Sequence, residues 1–171
     1  GTQMRLHVSP REPVVSAVLD IGCACAGLGD ILKKKYKIND YTGLEINKAA
    51  ADIAKQKHRK IYDLDFLKYK SSKKFDLCVS LSCIDWQNNF NKMLDKLWSH
   101  TKNNGHMFIT ARLTEHQTIN DIKQSYQFIN YKGIKSGQKA PYVVFNFIDI
   151  LSILKNLDPS EINIYGYFLK P

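Results

Sequence analysis

No stretch of this chain reaches the roughly 18 consecutive apolar residues of a membrane-spanning helix, and no apolar run near residue 1 resembles a secretion leader. Those absences predict a soluble, cytoplasmic protein without a membrane partner. Cysteine is sparse, with four in 171 residues. Cys23 and Cys25 are separated by a single residue, too close for a zinc ligand pair and without a second pair elsewhere, so no metal is expected. Cys78 and Cys83 fall in or beside a predicted strand and read, like the first two, as reduced thiols serving as small apolar side chains. Arginine is scarcer still relative to charge: 4 of the 25 basic residues, against a net charge of +9. Base-edge readers and bidentate phosphate clamps favour arginine, and lysine runs such as Lys33–Lys35 or Lys70–Lys74 read as solvated surface, which argues against a nucleic-acid partner. Internal repeats and low-complexity linkers are lacking too, so residues 1–171 are expected to form one domain. A chain of this length buries about 70 % of its unfolded surface and needs no disulfide to fold.

What is present is an alternation of short apolar runs with helical patterns. Val18–Ile21 reads as a strand that enters the small-residue loop Gly22–Gly29, and Leu28–Tyr36 as the helix after it. Asn47 is the expected N-cap of an alanine-rich helix, Lys48–His58. Phe90, Met93, Leu94, Leu97 and Trp98 share one helical stripe, which predicts a core position for Trp98. Phe147–Leu157 is a final helix stopped by Asp158-Pro159, ahead of a last strand over Ile162–Phe168. The pattern predicts an α/β three-layer sandwich with a doubly wound, mostly parallel sheet. Its core should span 17–112, followed by an insertion over 113–142 and the final helix and strand over 147–168.

Several segments resemble, in order and spacing, the class I, Rossmann-like S-adenosylmethionine-dependent methyltransferases. Asp20-Ile21-Gly22 matches the acid, any residue, glycine of their first motif, whose loop holds the methionine end of the cofactor; Gly22, Cys23 and Ala24 are the loop positions implied. Glu45, with Ile46, falls where an acid ending the second strand accepts both ribose hydroxyls. Asp65 and Phe66 match the residues flanking adenine, and Ser80 and Leu81 those beneath the reactive end of the cofactor. Lys102-Asn103-Asn104-Gly105 resembles the turn before the fifth strand. The resemblance implies S-adenosylmethionine as cofactor and S-adenosylhomocysteine as product. It also implies a seventh strand, for which the chain has no segment before Pro171, so the sheet is abbreviated or the chain is a fragment.

Ala24 and Ala26 stand where the family usually has glycine. Alanine is expected to fit there only with negative φ, since a left-handed conformation costs about 1 kcal/mol or more. The same alanines weigh against a nicotinamide dinucleotide fold, whose fingerprint needs glycine for the pyrophosphate, and Asp20 suits a cationic ligand better than phosphates. For the acceptor side, Asp85 and His116 are the candidate general bases, although Asp85 could equally cap a turn and His116 be polar surface. Arg112 would clamp an anionic acceptor or form a salt bridge at a strand end; Trp86, Tyr126 and Tyr131 would wall the acceptor pocket or pack under the insertion. The reading is methyl transfer to an oxygen or nitrogen of a small-molecule acceptor, with sugar and surface-polysaccharide precursors as the first class to test. A cofactor-binding inactive subunit or fragment is the alternative, with a nucleic-acid methyltransferase or an NAD-binding protein behind it. Oligomeric state is not legible.

Overall fold

The computed structural model describes residues 14–58, 60–86, 89–128 and 136–166. Two compact units divide the chain, one formed by residues 1–84 with 92–110 and the other by 85–91 with 111–171.

The first unit contains a five-stranded sheet built from β1 (Ala17–Ile21), β2 (Asp40–Leu44), β3 (Lys60–Tyr62), β4 (Phe75–Ser80) and β5 (Thr101–Ile109). All pairings are parallel and the order is β3-β2-β1-β4-β5. Every residue of β1 is buried, as a central strand covered on both faces requires. Helix α1 (Gly27–Tyr36) follows β1 and α2 (Lys48–Lys55) follows β2. Ala51 and Ala54 of α2 are fully buried in a core cluster with Val18, Leu32, Tyr41 and Val79. Asn47 caps α2 as expected, its side chain accepting from Ala50 N–H at 3.1 Å. On α3 (Phe90–His100), Met93, Leu94 and Leu97 are buried, whereas Trp98 is only half-buried and not the core residue its spacing predicts.

Strand order is pinned at the edge opposite the ligand side. Asp76 of β4 accepts hydrogen bonds from the backbone N–H and hydroxyl of Ser16 and from Ala17 N–H, and pairs with Lys102 of β5 at 2.7 Å. Burial alone would raise its carboxyl, but Lys102 and these donors hold it well below the usual carboxylate range. One side chain thus ties together the starts of three adjacent strands.

The second unit pairs β6 (Arg112–Thr114) with β9 (Val144–Asn146) in parallel, and β7 (Tyr126–Phe128) with β8 (Lys139–Pro141) in an antiparallel hairpin. Asn146 caps α4 (Phe147–Lys155) by accepting from Ile148 N–H at 2.9 Å. The strand expected over Ile162–Phe168 does not form in its described part: Ile162–Gly166 is irregular, with Tyr165 87 % exposed and no sheet neighbour to pair. No helix of the described residues is long and apolar enough to cross a membrane.

Candidate functional site

In an open parallel sheet, ligands bind beyond the carboxyl ends of the strands, where the chain reverses direction in strand order. Here that point lies between β1 and β4. The loop leaving β1 is anchored to its neighbour: Gly22 N–H and Cys23 N–H both donate to Leu44 O, at 2.8 and 3.0 Å. Gly22 has φ +71°, and a Cβ there would lie 2.4 Å from Cys83 Sγ, so glycine is required twice over.

Ala24 and Ala26 overturn the expectation of negative φ, adopting +47° and +58°. The cause is tertiary. Ala24 N–H is held by Glu45 Oε2 at 2.9 Å, and the fully buried methyl of Ala26 sits in the core cluster with Cys23 and Leu32. The methyl of Ala24 is exposed and gains nothing in return. Ala24→Gly is therefore expected to stabilise the protein by about 0.5–1 kcal/mol, relief of left-handed strain exceeding the added unfolded-chain entropy. A raised urea midpoint at unchanged slope would show it.

Two acids flank the loop. Asp20 is 3 % exposed, and its carboxylate accepts from the Tyr41 hydroxyl at 2.5 Å. Burial pushes its carboxyl up to about 6, against the Tyr41 hydrogen bond and with Glu45 adding repulsion. Glu45 bridges the loop to the next helix, accepting from Ala24 N–H at 2.9 Å and Asn47 N–H at 2.8 Å. Each of its oxygens retains acceptor capacity. Beside it Ile46 is 70 % exposed, and Leu81, past the end of β4, is 38 % exposed. Ser80 is fully buried and its Oγ has no partner among the described residues.

The structure thus gathers Asp20, Gly22, Cys23, Ala24, Glu45, Ile46, Ser80 and Leu81 at the carboxyl ends of three adjacent strands. Asp65 and Phe66 follow the short β3, where Asp65 Oδ1 caps Leu67 N–H at 2.8 Å. The Phe66 ring is 3 % exposed, with Lys96 Nζ 5.2 Å from its centroid and His100 beside it. The Cys23 thiol, pushed up to about 12 by burial and then by Asp20 and Glu45, is a packing group and not a nucleophile. Sequence reasoning missed Tyr41, Cys83 and Thr110, whose Oγ1 accepts from Ser82 N–H at 2.7 Å. Only Tyr41 carried a signal, because a tyrosine on a buried strand needs a partner for its hydroxyl.

In the second unit, Asp85 lies in a single 3-10 turn, Ile84–Trp86, and Arg112 opens β6. Their side chains form an ion pair, with Arg112 Nη1 donating to Asp85 Oδ2. The guanidinium is stacked between two rings, 4.8 Å from the Trp86 centroid and 4.4 Å from that of Tyr142. Asp85 is 2 % exposed; burial raises its carboxyl and Arg112 counters this, while Oδ1 is buried with no partner among the described residues. His116 is exposed on a separate concavity with Glu115, Gln124, Asn146 and Asp149, and no hydrogen bond links it to Asp85 among the described residues. Tyr126 faces its own hairpin, with Lys139 Nζ 3.7 Å from its ring centroid and Phe128 beside it. Tyr131 lies outside the described residues. Arg112, Asp85 and Trp86 are thus brought together; His116 and Tyr126 are each held in other surroundings. Among the described residues no group of three or more histidine, cysteine or acidic side chains could hold a metal.

A family described as a methyltransferase domain matches residues 19–107. No curated protein matches the chain in sequence. Among solved structures, the plantazolicin methyltransferase BpumL in complex with S-adenosylhomocysteine superposes with a TM-score of 0.52 at 22 % identity, over 56 % of this chain and 38 % of that one. The O-methyltransferase of a trans-AT polyketide synthase multienzyme from Brevibacillus brevis, also with S-adenosylhomocysteine, gives 0.65 at 16 % identity, covering 84 % and 46 %. An S-adenosylmethionine-dependent methyltransferase from Clostridium acetobutylicum gives 0.59 at 15 % identity, covering 82 % and 72 %. The chain spans less than half the length of the first two. These likenesses establish the fold, and the family match extends over more than half of the sequence. The chain belongs to the methyltransferase-domain family and has its Rossmann-like fold.

Proposed function

We propose that the protein binds S-adenosylmethionine through the β1, β2 and β4 ends and moves its methyl group to an oxygen or nitrogen of a small molecule. The observation that carries this reading is Asp20: a carboxyl 3 % exposed, bonded to a tyrosine and in no ion pair among the described residues, beside a small-residue loop at the carboxyl end of β1. A ligand bearing a sulfonium and an ammonium supplies the missing positive charge, whereas a pyrophosphate would add to the repulsion. When bound, the cofactor supplies an electrophilic methyl on a positively charged sulfur. Asp20, Gly22, Cys23 and Ala24 would hold its amino-acid end, Glu45 and Ile46 the ribose, Asp65 and Phe66 the adenine edge, and Ser80 and Leu81 the region below the sulfur. Exposed Ile46 and Leu81 gain apolar cover in that arrangement, and Ser80 Oγ a partner.

Residues 1–171 would form one functional methyltransferase domain with a small-molecule acceptor and no polynucleotide partner, working in the cytoplasm. Sugars and surface-polysaccharide precursors are the acceptor class to test first. Asp85 would serve as base, with Arg112 and Trp86 shaping its surroundings, and His116 and Tyr126 would belong to the acceptor side. The second reading, a cofactor-binding subunit without turnover, is favoured by the Asp85–Arg112 pair, which occupies the carboxylate of that turn.

Calorimetry with S-adenosylhomocysteine and with NAD separates the cofactor readings: binding of the first is expected, and binding of NAD alone would reject the proposal. Glu45→Ala is expected to weaken S-adenosylhomocysteine by about tenfold, the loss of charge-assisted bonds to the ribose. An unchanged affinity would remove that role. Turnover on an acceptor panel separates the enzyme from the inactive subunit.

A further inference from the structure

The β2 tyrosine behind the loop has no part in the reading above. Tyr41 pairs in register with Val18, two residues before Asp20, which brings its hydroxyl back to Asp20 Oδ2 at 2.5 Å. Its position is fixed from behind. The His58 ring lies 4.9 Å from the Tyr41 ring, and His58 Nε2 bonds Asp30 Oδ1 at 3.1 Å in the first turn of α1. A Cβ on Gly29 would meet the Tyr41 ring at 2.8 Å, so glycine there admits the ring. Among the described residues, the charged and titratable groups facing Asp20 are Tyr41 from β2, Glu45 after β2 and Cys23 from the loop; β4 presents Val79 opposite it, which carries no charge. None of them is a cation.

We propose that Tyr41 is a positioning residue that holds Asp20 for proton-coupled cofactor binding: in mildly acidic solution the empty site keeps a proton on the Asp20 carboxyl, and the cofactor's positive charge expels it to solvent. This rests on the S-adenosylmethionine reading. A carboxyl buried to this degree beside Glu45, with one hydrogen bond and no cation among the described residues, holds its proton more tightly than an exposed one, in keeping with its rise to about 6. An arriving cation reverses that preference. Tyr41 keeps the reversal near pH 6 and not higher, because its hydroxyl stabilises the carboxylate once the proton has left.

The test is calorimetry of the intact chain with S-adenosylmethionine at pH 5 to 8.5, in buffers of different ionisation enthalpy. Affinity is expected to rise about tenfold from pH 5 to pH 7 and level off above, with about half a proton released per site near pH 6. Flat affinity without proton release overturns the proposal and leaves the cofactor reading standing. Absence of binding at every pH rejects the cofactor reading itself. Tyr41→Phe should move the midpoint upward, with affinity lost at pH 6–7 and recovered at pH 8.5; an equal loss at every pH would make Tyr41 merely structural. Asp20→Asn should bind with no pH dependence over the same range, and a dependence that survives in it assigns the proton to another group and overturns the proposal.

Discussion

Asp20→Asn is expected to stabilise the protein by about 2–3 kcal/mol at pH 8 and to leave it nearly unchanged at pH 4. The folded state holds the Asp20 carboxyl at about 6, above the unfolded value of about 3.9. The folded protein therefore binds this proton more tightly than the unfolded chain. The resulting stability is fully present below about pH 4 and is lost as pH rises through 6, at about 1.4 kcal/mol per unit between the two values. Asparagine is neutral throughout and escapes that loss, and its amide can bond the Tyr41 hydroxyl in either sense. Urea midpoints of both proteins at pH 4, 6 and 8 check this. A gain equal at all three values would trace to packing, and a loss at pH 8 would contradict the cost assigned to the buried charge. On the proposed function, the protein keeps a destabilising acid because a cationic ligand uses it, the usual exchange of stability for binding.

The first half of the fold was legible because its signals are local. β1, the loop and Asn47 as a cap follow from periodicity and from residue types at element boundaries, and the acids at strand ends from the resemblance to the methyltransferases. The conformation of Ala24 and Ala26 was not, since alanine's own preference points to negative φ, and it is Glu45, 21 residues away, with burial of the Ala26 methyl, that imposes the opposite. Distance in sequence also hid Tyr41 behind Asp20. For Arg112 the sequence left a clamp and a salt bridge open, because its partner Asp85 lies 27 residues earlier. The apolar alternation of Ile162–Gly166 is a real strand pattern, yet a strand forms only where an edge accepts it, and in the described residues none does. Trp98 satisfied the helical stripe but sits at its margin, half in solvent.

Arg112→Ala is expected to destabilise the protein by about 3 kcal/mol at pH 8, toward the low end for a broken buried pair. Asp85 is the reason, with a side chain 3 % exposed and one oxygen already without a partner. Removing the guanidinium leaves a desolvated carboxylate that can escape only by taking up a proton. The Arg112 side chain is 37 % exposed, so water entering its place offsets part of the loss. The deficit has a pH signature: burial already raises the Asp85 carboxyl and Arg112 is what counters it, so the variant's acid is raised further. A carboxyl that is neutral at low pH carries no unpaired charge, and the deficit should shrink as pH falls toward 4. Arg112→Lys restores the charge but not the flat stack between Trp86 and Tyr142, and should recover only part of the stability. Turnover on a responsive acceptor then separates two roles for Asp85. If Asp85 is the base, Arg112→Ala lowers the rate per folded molecule and moves its pH dependence upward, because an acid held more tightly to its proton accepts from the acceptor only at higher pH. If the pair only holds the turn after β4 to β6, the rate per folded molecule stays constant and the stability loss is the whole effect.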